Sequence, residues 1–250
     1  VGVASLMFEL LQVRLLSLLI GKSMDVLAIP IALLGLAIGS MFRHFVFKGD
    51  PEVLLRRLCI AVLPTMAVST LAVFTIASLA FPQVHVTIAT PSTEAGKVLA
   101  YGAVNLPPYM VFGALLSTLF STTPERIGTL YFFDLLGAAV GCAMAPIMLT
   151  LLGLPAALGL LFTAGFLLTL IYGLQSRAAM ANGGVLVVCL GMLATGVGFE
   201  EHVEPNTLAR VFRDLRKGAR EVDVRWNAIA RTSLMTRAGK PSHRHVIVQD

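Results

Sequence analysis

Three ionisable side chains lie inside apolar runs, where charge is expensive: Glu9 and Arg14 in FELLQVR, and Asp134 in TLYFFDLLGAAVG. An ionised group at the centre of a bilayer costs ~2.5–3.5 kcal/mol on insertion scales, so such groups turn inward and pair, or line a polar path. Glu9 and Arg14 are five residues apart, which sets them roughly 140° apart around a helix, too far for i,i+4 pairing. Each therefore needs a partner on another helix. Asp134 is the candidate for Arg14, and Asn105 or Tyr131 for Glu9. Three chemistries fit these residues: structural ion pairs, an Arg14 that snorkels to an interface, or a substrate or proton pathway.

Other reactive residue types carry less. Cys59, Cys142 and Cys189 all fall in apolar spans without metal-like spacing and read as buried packing thiols. His243 and His245 are two apart with no third ligand, so no metal is expected, and no GxGxxG turn or nucleophile triad occurs. No catalytic residue is assigned.

The elements that position these groups follow from composition. The chain is 56% apolar and only 13% charged, with a mean hydropathy of +0.83, which excludes an ordinary soluble domain and reads as a polytopic membrane protein. Apolar spans at 1–20, 26–47, 58–81, 98–121, 129–150, 155–175 and 183–199 mostly reach the ~20 residues that cross ~30 Å of hydrocarbon. About seven transmembrane helices are expected in an all-α bundle over 1–199. Gly35 and Gly39, and Gly137 and Gly141, are small-xxx-small pairs that let helix backbones approach. Arg43, Lys48, Arg56 and Arg57 place a loop at 43–57 on the cytoplasmic side. Five crossings from there would put the tail outside, although its arginines look cytoplasmic. Either the span broken by Pro107 and Pro108 or the short one at 183–199 is then miscounted.

After the bundle, VEPNTLARVFRDLRKG predicts a short amphipathic helix within 200–220, with Asn206 as N-cap, Leu208, Val211, Phe212 and Leu215 on one face, and Gly218 after its end. Its basic face suits anionic headgroups, a following domain, or solvent. EVDVRW, IARTSLMTR and HRHVIVQD are strand-like, with turn chemistry at AGKPS, and predict a small β-hairpin or meander over 221–250.

The order of these motifs resembles membrane-embedded spermidine synthase-like proteins. GVASLMFELLQVRLLSLLIG is similar to their first helix, and NLPPYMVFGALLSTLF followed by ERIGTLYFFDLLGAAVGCAMAPIMLTLLGL to their middle section. VRWNAIARTSLM resembles the entry strand of their aminopropyltransferase-like domain, with Asn227 and Ala228 in place of Ser-Pro. Trp226 and Arg231 are the substrate-binding positions that carry over, and HVIVQD looks like the strand that ends in Asp-Gly.

The resemblance implies a fragment: a membrane domain and the start of a truncated catalytic domain. The whole protein would transfer an aminopropyl group from decarboxylated S-adenosylmethionine to a polyamine, with no cofactor held by these 250 residues and no activity of their own. The expected partners are the lipid bilayer and a polyamine, not nucleic acid, and the expected location is a bacterial inner membrane. The rival reading is a transporter-like or scaffolding membrane protein in which Glu9, Arg14 and Asp134 line a polar path and the tail docks a partner, with Asn105 a further intramembrane polar residue.

Overall fold

The computed structural model describes residues 1–19, 27–46, 50–80, 91–173, 177–194, 219–226, 231–237 and 240–249. Six helices, α1 (Gly2–Leu19), α2 (Ala28–Val46), α3 (Pro51–Ala80), α4 (Pro91–Thr122), α5 (Ile127–Gly173) and α6 (Arg177–Ala194), are followed by strands β1 (Ala219–Trp226), β2 (Arg231–Arg237) and β3 (Lys240–Gln249). A short 3₁₀ turn, Pro124–Arg126, leads into α5.

Local chemistry sets several boundaries. Asp50 opens α3: its carboxylate accepts the Glu52 amide at 3.0 Å and its carbonyl the Leu54 amide at 3.1 Å. Pro51 then takes the first helical position, where no donor is lost, and Glu52 favours the positive end of the dipole. Arg43 and His44 occupy the last turn of α2, where cations complement the negative end. The basic loop expected at 43–57 is therefore mostly helix: Arg43 belongs to α2 and Arg56 and Arg57 to α3. Lys48 lies outside the described residues.

Four stretches among the described residues are long and apolar enough to cross a membrane: Ala28–Phe45, Pro51–Val73, Leu99–Thr122 and Pro124–Ile171. The chain is an integral membrane helical protein by that measure, with four such helices among its described residues where seven are expected. Two causes account for much of the difference. The spans expected at 129–150 and 155–175 run as one element, because LLGLP makes a one-residue break and not a loop. Gly153 alone is non-helical (φ 77°, ψ 168°), in a region open essentially only to glycine, and Pro155 follows in the first turn of the second arm, where it is tolerated. The second cause is length, since α6 contributes only a shorter apolar stretch, Met180–Gly191. Pro107 and Pro108 do not break α4, which continues through both, as neighbouring groups in membrane helices can satisfy the freed carbonyls.

The core is lined by Phe8, Leu11 and Leu15 of α1, Leu63 and Met66 of α3, Phe112 of α4, and Leu154 and Leu158 of α5. Large apolar side chains such as Leu33, Val68, Leu151 and Val187 point outward, the pattern of a bundle whose solvent is lipid.

Glycines decide how closely the helices pack. A Cβ built at Gly35 would lie 2.5 Å from the Tyr109 Cβ, and one at Gly39 would meet the Met110 backbone. In return, one at Gly113 of α4 would meet the Leu36 backbone, so α2 and α4 seat small positions in each other. On α5, a Cβ at Gly137 would come within 3.1 Å of Val3 Cγ2, and one at Gly141 within 2.7 Å of the Val3 carbonyl oxygen. The start of α1 thus rests on the Gly137/Gly141 face. Without a hydrophobic force between helices in lipid, such close van der Waals contact supplies much of the attraction.

The strands form a three-stranded antiparallel sheet in the order β1-β2-β3. Its register is irregular between Glu221 and Asp223 and again between Thr236 and Arg237. The amphipathic helix expected within 200–220 lies outside the described residues.

Candidate functional site

A polar seam runs through the interior where α1, α3 and α4 meet. Gln12 Nε2 donates to Thr70 Oγ1 at 3.0 Å. The adjacent Ser69 hydroxyl donates to Asn105 Oδ1 at 3.0 Å, and Asn105 Nδ2 donates back to the Tyr101 carbonyl at 3.1 Å. These two links fix all three helices at one level.

Tyr101, Asn105 and Tyr109 follow one another at four-residue spacing, so they share a face of α4 and rise ~6 Å per step. Tyr109 packs on Phe8 of α1, with ring centroids 5.7 Å apart. Gln12, Tyr101 and Tyr109 are each at most 2% exposed. Three of their oxygens, Gln12 Oε1, Tyr101 Oη and Tyr109 Oη, are buried without a hydrogen-bond partner among the described residues.

A second polar link joins α3, α5 and α6. Asn182 Nδ2 donates to the Ile60 carbonyl at 2.8 Å and to Thr169 Oγ1 at 3.0 Å.

The expected Arg14–Asp134 pair does not form. Asp134 Oδ1 accepts the Gly2 amide at 2.7 Å and lies 3.8 Å from the Val1 nitrogen. Arg14 is twelve residues further along the same helix, ~18 Å up its axis. The small-residue face that brings α1 onto α5 therefore brings its first turn, and not its middle, to the carboxylate. Arg14 itself is buried.

The partners expected for Glu9 are engaged or placed elsewhere: both amide atoms of Asn105 bond within α3 and α4, and Tyr131 is exposed on α5. Glu9, Arg14 and Asn105 belong to the helices of the seam, while Asp134 stands apart from it.

Cys59 and Cys189 are buried, but Cys142 is exposed, because it lies on the outward face of α5, next to the inward Gly141. In the sheet, Trp226 and Arg231 are cross-strand partners at the end where β1 passes to β2. Asn227, Ala228 and Asp250 lie outside the described residues. No group of three or more His, Cys, Asp or Glu among the described residues could hold a metal.

Sequence reasoning passed over Gln12, Ser69, Thr70, Tyr101, Tyr109 and Asn182. The signal for two of them was present, since tyrosines four residues either side of Asn105 mark a polar stripe on an otherwise apolar helix.

No protein-family model matches the chain, and no curated protein or solved structure does either.

Proposed function

We propose that the chain is the membrane region of a spermidine synthase-like protein, which holds an aminopropyltransferase-like domain at the bilayer. The observation that carries this reading is the order of its parts: the motifs of the first and middle helices, then an antiparallel sheet in which Trp226 and Arg231 pair at one end. On this reading the two arms of α5 cross separately. At 1.5 Å per residue, 127–152 extends ~39 Å and 154–173 ~30 Å, each enough for one crossing. With α1 and α6 also crossing, the count returns to seven.

The chemistry proposed for the whole protein is attack by a neutral amine of a polyamine on the aminopropyl carbon of decarboxylated S-adenosylmethionine. The carbon–sulfur bond breaks, methylthioadenosine leaves, and the amine releases a proton. Binding contributes by holding the nucleophile in line with the sulfonium-activated carbon. The test is an assay of the whole protein in detergent with a diamine and cosubstrate labelled in the aminopropyl group. Label is expected in a longer polyamine; folded protein that transfers none to any diamine would overturn the reading.

A second reading, a transporter-like bundle, is favoured by the interior seam of α1, α3 and α4. It would show as solute or proton flux in proteoliposomes, reduced by substitution of Gln12 or Asn105.

A further inference from the structure

Three buried oxygens in one seam pose a physical problem. An unpartnered buried polar group costs ~1–3 kcal/mol, and hydrocarbon around the bundle offers nothing to relieve it. Gln12 Oε1, Tyr101 Oη and Tyr109 Oη lack partners among the described residues, although adjacent polar groups are bonded at 3.0–3.1 Å. The unpartnered oxygens recur level by level. Tyr109 stands at Phe8 of α1, Gln12 stands with Thr70 at the level of Ser69 and Asn105, and Tyr101 stands two turns along α4 from Tyr109.

The chemistry of the set narrows the ligand. Gln12 Oε1 only accepts, whereas both phenols donate and accept. Water meets each need and bridges groups too far apart to bond directly. Tyr101 and Tyr109 are separated by ~12 Å along α4, a gap bridged by about three waters at ordinary O–H···O lengths.

We propose that the seam between α1, α3 and α4 is a hydrated column, a file of water molecules held by Tyr101, Gln12 and Tyr109. Gln12, Tyr101 and Tyr109 are themselves at most 2% exposed, which isolates the file from lipid. This holds whichever activity the whole protein has.

X-ray radiolytic labelling of the protein in detergent, read residue by residue by mass spectrometry, tests it, because radicals formed from bound water modify the side chains beside them. Tyr101 and Tyr109 are expected to be modified several-fold faster than Phe162, an aromatic equally buried outside the seam. Rates no higher than that of Phe162 would overturn the column. A conservative variant gives an independent reading: with water bound, Tyr109→Phe deprives the file of a partner and lowers the thermal midpoint. A dry seam would lose only an unsatisfied hydroxyl, so an unchanged or higher midpoint contradicts the proposal.

Discussion

Asn182 on α6 completes a hydrogen bond that Pro64 on α3 leaves open. A proline has no amide proton for the carbonyl four residues earlier, so Pro64 frees the Ile60 carbonyl within the bundle. Asn182 Nδ2 reaches that carbonyl at 2.8 Å. A backbone defect in one helix thereby becomes the docking point of another, and Thr169 holds the same amide in place from α5.

This coupling can be measured. Asn182→Ala is expected to destabilise the protein by ~1–3 kcal/mol, because it strands a buried carbonyl. In a Pro64→Ala background, where the helix can supply the amide itself, the same change should cost much less. A double-mutant cycle on unfolding in detergent checks it; additive losses would show that the two positions are independent.

The glycine contacts between α2 and α4 give a second expectation. Gly113→Ala forces a methyl onto the Leu36 backbone and should destabilise by ~1–3 kcal/mol. Gly102, on the same helix, has nothing within 4 Å of its built Cβ. Gly102→Ala should be neutral or stabilising by up to ~1 kcal/mol, since alanine suits a helix better. Thermal midpoints of the two variants, compared in one detergent, decide the matter.

Asp134 and Arg14 should behave as independent residues. With ~18 Å between their levels on α1, the losses from Asp134→Asn and Arg14→Gln are expected to add to within ~0.5 kcal/mol in the double variant. A strongly sub-additive result would mean that the two charges meet after all.

These sites show why some of the molecule was legible in the sequence and some was not. Apolar runs announce membrane helices because the bilayer demands length and apolarity of each segment separately. Gly35, Gly39, Gly137 and Gly141 announce close approach, but not which residues approach. The partner of Asp134 depended on how far α1 slides along α5, a quantity set by packing at Val3 and invisible in either segment alone. The helix count failed at Gly153 for a related reason. A single glycine can break a helix without a loop, so two apolar runs separated by LLGLP do not reveal where one element ends. Asn182 was missed because its role follows from Pro64, more than a hundred residues earlier.

Adjacent positions on α3 offer the most direct measurement of the whole arrangement, an apolar exterior facing lipid around a polar interior. Val68 is 64% exposed and Ser69 only 2%, so one residue separates the two environments. Nitroxide labels on Val68→Cys and Ser69→Cys, in protein freed of its native thiols and returned to bilayers, report collisions with oxygen, which partitions into lipid, and with a water-soluble nickel chelate. The expected result is frequent oxygen and rare chelate collisions at position 68, with both rare at position 69. Chelate collisions at position 68 as frequent as those of oxygen would place that face in water and contradict the membrane bundle.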